Sequence, residues 1–499
     1  MTHKTPKQIA VALLLSAIFC QSPTFAADAK RQPASESKLA QTKVITYPAP
    51  AGEKVLRGYK VFVNGKQIDL YTAQSRLFET MKGSGYTFGY FDFEGEVEVK
   101  VVAPPNHPFD LKKLELLPAR PIAKATKTSF TFKADKPFKI SVLPDERNRP
   151  LIIFGNALEK FRPQKSDPNL LYFGPGVHAA EQITLTSNQT LYIAGGAVVK
   201  TIVLAQGENI KILGRGVISG ELHARQTCAK MVRFNKCKNI AIDGVILRDP
   251  PHWTLSVDNT DGAVVSDVKV CSGRMINDDA LDICNSRNVA VRDCFLRSQD
   301  DNVALKANGG SIAVENILIE NCIFWTDLAN TFRIGFECNN ETMQNVVVRN
   351  CLVAFSTPDP SKEITHFWVK GVFLFQAANE MVMKNFTFEN IKIRSDGVDV
   401  PVVVAVPRVI DFYDFHKFRK SPGSIRDCKF KNISVFGKKS GLTLTREKSE
   451  FVGTLWFKGY DASHTVENMS FENITYFGKK ITKDSPNVRI EEFTSNITF

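Results

Sequence analysis

The stretch from Asn277 to Lys306, NDDALDICNSRNVAVRDCFLRSQDDNVALK, holds two pairs of adjacent carboxylates, Asp278-Asp279 and Asp300-Asp301, on either side of a run with β character. Adjacent carboxylates repel, so in a partly buried pair one can keep its proton near neutral pH while the other ionises. A proton donor beside an ionised carboxylate is what glycosidic hydrolysis requires: an acid for the departing oxygen, and a base or nucleophile for water or the sugar. Asp-Asp pairs also form turns by capping their own backbone, so neither pair alone decides the matter. Asp279 and Asp300, however, lie 21 positions apart. In a chain that coils once every twenty-odd residues, that spacing brings Asp279, Asp300 and Asp301 onto one face.

The chain does repeat on that scale. From about residue 170 a motif of Asn followed by alternating apolar residues recurs as NIKILGRGVIS from Asn209, NIAIDGVILRD from Asn239, NVAVRDCFLRS from Asn288, NILIENCIFWT from Asn316 and NVVVRNCLVAF from Asn345. It returns as NFTFENIKIRS from Asn385 and NMSFENITYFG from Asn468, with weaker copies near Gly262 and Cys428. Each unit is too short for a helix pair and rich in β-branched residues. A parallel β-helix fits, with short strands stacked about 4.8 Å apart and inward side chains in ladders. The longer late repeats are expected to carry loops that wall a groove.

Ahead of the repeats, residues 1–26 read as a secretory signal peptide: Lys4 and Lys7 precede an apolar run from Ile9 to Phe19, and Thr24-Phe25-Ala26 offers small residues at a cleavage site. The run is too short to span a bilayer and no later stretch is long enough, so an exported protein, secreted or periplasmic, is expected. Residues 27–165 are assigned to a small antiparallel β-sandwich-like domain, beginning with a polar leader and then a hairpin over Tyr59–Tyr71 with Asn64-Gly65 as its two-residue turn. Residues 166–499 are assigned to the β-helix. The fold class is therefore all-β: a right-handed parallel β-helix preceded by the sandwich.

After removal of the leader, 62 basic and 52 acidic residues remain, a net charge of about +10. The excess favours an anionic polymer by long-range attraction and is equally compatible with a solvated surface. No arginine-rich block or nucleic-acid motif is present, which argues against a nucleic-acid partner. Nine cysteines remain besides Cys20. Cys271, Cys294, Cys322 and Cys351 each close a strand-like run, so an inward stack of small thiols is expected, and Cys228 with Cys237 is the candidate disulfide.

Asn277-Asp278-Asp279-Ala280-Leu281-Asp282-Ile283 followed by Asp300-Asp301-Asn302-Val303-Ala304-Leu305-Lys306 resembles the polygalacturonase family of glycoside hydrolases, whose motifs read Asn-Thr-Asp-Gly-x-Asp-Ile and Asp-Asp-Cys-x-Ala-x-Lys. Pro250-Pro251-His252-Trp253-Thr254 is similar to the segment that precedes the site in that family. The resemblance implies Asp300 as general acid, with Asp279 and Asp301 activating water in an inverting reaction, and no cofactor or metal. Where the family has Gly-His-Gly and Ser-Ile-Gly-Ser, this chain reads Asn330-Thr331-Phe332-Arg333-Ile334-Gly335-Phe336-Glu337, and His366-Phe367-Trp368-Val369-Lys370 lies where a basic triplet is expected. A sandwich followed by a β-helix with an Asp-Asp turn also resembles the dextranase and isopullulanase family, so a divergent relative of both is implied.

Candidates for substrate contact are Asn277, Trp253, Lys306, Arg333, Glu337, His366 and Trp368. Flat indoles suit the CH-rich faces of pyranoses, and Arg333 offers a fork for a carboxylate or sulfate or an ion pair with Glu337 or an Asp. Trp325 follows an inward strand and reads as core. The leading reading is a hydrolase of a polysaccharide or its oligosaccharides, with an acidic or sulfated galactan or uronan favoured over a neutral glucan. A lyase using calcium and an Arg or Lys base, and a non-catalytic carbohydrate-binding β-helix, are the competing classes.

Overall fold

The computed structural model describes residues 42–53, 58–75, 85–145, 148–228, 230–339, 342–356, 371–399, 401–407, 421–443 and 455–499. The leader at 1–26 lies outside them. So do His366, Trp368 and much of the lengthened late repeats, over 357–370, 408–420 and 444–454. No helix among the described residues is long and apolar enough to cross a membrane.

The alternating strands read from the sequence form two small sheets. Lys60–Val63 and Lys66–Ile68 pair as the expected hairpin, with Val63 opposite Lys66 and both turn residues at positive φ, Asn64 at 46° and Gly65 at 79°, as a twist-matched two-residue turn requires. Their five-stranded sheet packs Val61, Val99, Phe130 and Phe132 against Phe91, Phe93, Phe138 and Ile140 of a six-stranded sheet. The six-stranded sheet is antiparallel except where Leu151–Ala157 runs parallel to Tyr86–Glu94. Its other face is also apolar. Tyr71, Tyr86, Phe88, Tyr90 and Phe154 pack onto Val198, Val217, Ile246, Phe295 and Trp325 of the large sheet.

From Leu170–Phe173 to Thr494–Thr498 the described residues form one sheet of 28 strands. Its strands pair in parallel, save Lys479–Lys480, which pairs antiparallel. This is a parallel β-helix. The first apolar position of the Asn-led motif stacks coil upon coil as Ile240, Ala263, Val289, Ile317, Val346, Phe386, Cys428 and Met469. All of them are buried. The motif's asparagine has its own role: Asn209, Asn239, Asn288, Asn316, Asn345, Asn385 and Asn468 have φ between 54° and 59°, the left-handed region that Asn tolerates better than other side chains with a Cβ. Their amides hydrogen-bond along the helix axis, as Asn316 Nδ2 to Asn288 Oδ1 and Asn345 Nδ2 to Asn316 Oδ1, each 3.1 Å.

Three of the four cysteines behave as expected. Cys294, Cys322 and Cys351 are buried in the helix core, and the pairing of Phe295 with Ile323 and Ile323 with Leu352 sets them in one column. Cys271 departs from that column: it pairs with Arg297 and faces the N-terminal sheet, because the two outer residues of its short strand have the opposite parity. Trp325 is fully buried, but against the same sheet and not within the coil. None of the nine cysteines from Cys228 to Cys428 is in a disulfide, so the expected Cys228–Cys237 bridge does not form.

The asparagine ladder is testable. Asn316→Ala places a Cβ-bearing residue with no amide at a left-handed position and should cost about 1–2 kcal/mol. Asn316→Gly loses the same amide bonds without the backbone penalty and should melt at a higher temperature than the Ala variant in a thermal unfolding experiment.

Candidate active site

Four consecutive coils present their turns and outward residues on one face. The inward ladder Leu255, Leu281, Val303, Phe332 fixes the register, since a slip of one residue would turn this apolar row out to solvent. Between those anchors, Ser256, Asp282, Ala304 and Arg333 stand side by side on the outer face. In the turns just before the strands, backbone bonds from Thr254 to Asp279, Ala280 to Asp301 and Asn302 to Asn330 carry the alignment one step further. The step from Leu281 to Val303 is 22 residues, one more than the 21 that separate Asp279 from Asp300. Asp279 therefore aligns with Asp301, and Asp278 with Asp300. The clusters face one another as expected, with the partners exchanged.

Lys306 is the hub. Its ammonium lies 3.2 Å from Asp279, 2.8 Å from Asp282 and 2.9 Å from Glu337, and 3.5 Å from the centre of the Trp253 ring. Burial disfavours its charge, but Asp282, Glu337 and Asp279 together hold its pKa well above the usual lysine value. Burial also works against an ionised Glu337, yet Lys306 and Arg333 prevail and keep it below the ordinary carboxylate range. Asp279 is pushed up to about 6, by burial first and by Asp301, with Lys306 opposing. Asp282 is buried and held well above its usual value, by burial first.

Asp301 is anchored from the next coil: its Oδ1 accepts from the Asn330 backbone N–H at 2.9 Å and from Asn330 Nδ2 at 2.8 Å, and its Oδ2 lies 3.5 Å from Arg333. Arg333 also donates to Gln376. Asp300 differs. It is half-buried, and its Oδ1 accepts from the backbone N–H of Asp301 at 3.0 Å. Burial, then Asp279, Asp301 and Asp278, push its pKa well above the carboxylate range, with Arg333 alone among the leading influences opposing. Burial and three neighbouring carboxylates thus raise the proton affinity of Asp300, whereas Asp301 is held by the Asn330 amides and by Arg333, and unlike environments for adjacent carboxyl groups are what acid and base roles need.

Of the residues singled out in the sequence, Asp279, Asp300, Asp301, Lys306, Arg333 and Glu337 come together here. Asn277 is half-buried just before Asp278. Trp253 joins them, but with Lys306 and, at 4.8 Å, Lys230 against its ring; the face that Lys306 occupies is not open to a sugar. His366 and Trp368 fall outside the described residues. The sequence reading passed over Asp282, Asn330 and Asp278. Asp282 was legible in principle, since alternation in Leu281-Asp282-Ile283 turns it to the outer face. Asn330 carries no such signal, because it meets Asp301 only through stacking. Among the described residues no group of three or more His, Cys, Asp or Glu side chains has the arrangement to hold a metal ion.

Residues 176–358 match the family described as Glycosyl hydrolases family 28, and over that stretch the chain is similar to the polygalacturonases of the family. It is 25% identical to an endo-polygalacturonase of Pectobacterium carotovorum subsp. carotovorum over 235 residues, 46% of this chain and 57% of the relative. An endo-polygalacturonase of Pectobacterium parmentieri is 26% identical over 242 residues, with the same coverage of 46% and 57%. The chain thus spans little more than half the length of these relatives. In fold it resembles Dex49A from Penicillium minioluteum, with a TM-score of 0.63 at 14% identity, covering 91% of this chain and 96% of that one.

The raised Asp300 has a measurable cost. Because its folded-state pKa exceeds the unfolded value of about 3.9, its contribution to stability is fully present below that value and is lost as pH rises toward the folded value. Asp300→Asn abolishes this dependence. The melting temperature of the variant should therefore rise relative to the parent as pH increases above about 4, read by differential scanning fluorimetry across pH.

Proposed function

We propose that this protein is an exported hydrolase that cleaves glycosidic bonds of a polysaccharide or its oligosaccharides with inversion at the anomeric carbon. The observation that supports the reading is geometric: the strand register sets Asp279 beside Asp301 and Asp278 beside Asp300 on one face, where burial and the neighbouring carboxylates raise the proton affinity of Asp300. In the step we assign, the bond between the anomeric carbon and the leaving oxygen breaks as Asp300 delivers its proton to that oxygen. A water molecule held by Asp279 and Asp301 adds from the opposite side of the ring and gives up its proton to one of them. Lys306 orients Asp279, and Asn330 with Arg333 orients Asp301. The proposed export rests on the apolar leader at 1–26.

An acidic or sulfated polymer is supported by the positive net charge and by the names of the two Pectobacterium relatives. A second reading, a neutral sugar at the cleavage point, is favoured by one specific observation: both cations of the site, Lys306 and Arg333, are engaged by the protein's own carboxylates. A panel of uronic, sulfated and neutral polysaccharides, with product analysis, separates the two.

On the substrate so found, Asp300→Asn should lower kcat by roughly 10²–10⁴-fold. Retention of the parent rate would sink the assignment of Asp300, and binding without turnover by the parent itself would point to a carbohydrate-binding protein. Proton NMR of the first-formed product should give the anomer opposite to that of the substrate. Products absorbing in the ultraviolet, with loss of activity on calcium chelation, would mean a lyase instead. The profile of kcat/KM against pH should fall on the acid side near pH 6, where Asp279 takes up a proton, and on the alkaline side as Asp300 ionises.

A further inference from the structure

Asp278 stands where the family motif has threonine, and none of the roles above uses it. It is completely buried, yet it is saturated with donors. Oδ2 accepts from the Ser272 hydroxyl at 2.5 Å and the Gly273 backbone N–H at 2.7 Å. Oδ1 accepts from the backbone N–H groups of Gln299 at 2.7 Å and Asp300 at 3.2 Å. Three of these four partners are backbone N–H groups, which can only donate. A proton on Oδ1 would face two donors, and one on Oδ2 has only the Ser272 hydroxyl to turn round and receive it. The geometry therefore asks for the anion, and it does so without a cation in contact. Burial pulls the other way and lifts Asp278 to about 7, with Ser272 and the three N–H groups opposing.

We propose that Asp278 is a positioning residue for Asp300, a buried anion that clamps the backbone of the acid's turn and fixes the charge that the acid meets one coil away. This inference rests on the reading of Asp300 as the proton donor. Two of the four bonds hold the turn itself, at Gln299 and at Asp300. The turn is held on its other side by Thr326, whose hydroxyl donates to the Asp300 carbonyl at 2.7 Å. The backbone carrying the acid is thus gripped from both neighbouring coils. The same carboxylate contributes to the raised proton affinity of Asp300, together with Asp279 and Asp301 and against Arg333. The other charges on the elements packed around this turn are already engaged: Lys306 by Asp279, Asp282 and Glu337, and Arg333 by Asp301. A threonine could supply neither the charge nor four acceptor positions.

The test compares Asp278→Asn and Asp278→Thr with the parent on the verified substrate. Both should lower kcat more than they change KM. Both should also move the alkaline limb of the kcat/KM profile to lower pH by roughly one unit, because the acid ionises more readily once the neighbouring charge is gone. Ser272→Ala keeps the carboxylate but removes one donor, and should move the limb in the same direction by less; it serves if the Asp278 variants do not fold. A uniform loss of rate with the alkaline limb unmoved in every folded variant would overturn the proposal and leave Asp278 a structural residue. The control is Asp300→Asn: if that variant retains activity, the assignment of the acid has failed. If it is inactive while the limb stays fixed in the Asp278 series, only the present inference has.

Discussion

Parallel pairing at about 4.8 Å between coils is the constraint on which the rest of this molecule depends. It brings together side chains that are 20 to 50 positions apart in sequence, at a separation where carboxylates act on one another strongly and where the backbone of one coil can be held by the side chains of the next. Asp279 and Asp301 are neighbours because Leu281 pairs with Val303, and Asp301 is fixed because Asn330 follows one coil later. Moving a single inward residue out of line would dissolve the site before any of its own residues changed.

Packing negative charge that tightly is unfavourable, and the site offsets it in two different ways. On the side of Asp279, Asp282 and Glu337 a single buried ammonium serves three carboxylates, with an indole ring behind it. On the side of Asp300 the relief comes from backbone N–H groups that meet the Asp278 carboxylate, and the crowding that remains raises the proton affinity of Asp300.

The repeating parts of this arrangement were legible in the sequence. The Asn-led motif announced the coils because its two signals, an asparagine tolerant of positive φ and an inward apolar residue, both come from strict stacking. The site face followed from the Asp-Asp pairs at nearly one coil spacing. Pair alignment was not legible, because turn length varies from coil to coil: the stretch from Ser272 to Ala280 is matched by the shorter one from Ser298 to Asn302 in the next coil, so the step falls from 26 residues at Cys271 to 22 at Leu281 and no fixed period gives the register. Cys271 was misread for a related reason, since it follows the same kind of apolar run as its three counterparts but sits on a strand with different neighbours. The second apolar face of Tyr86–Glu94 was written in Tyr86, Phe88 and Tyr90, aromatics at every second position opposite the face of Phe91 and Phe93, where an exposed sheet face would carry polar residues.

That doubly buried strand affects how the chain reaches its final state. The N-terminal sheets are made first, and their inner faces can pair at once. The row of Tyr71, Tyr86, Phe88, Tyr90 and Phe154 has no complement until the coils carrying Val198, Val217, Ile246, Phe295 and Trp325 exist. During synthesis and any passage in an unfolded state, an aromatic surface therefore waits for partners up to about 250 residues downstream. The sandwich is better regarded as a template on which the early coils condense than as a detachable module, and the two parts would be poor candidates for separate expression.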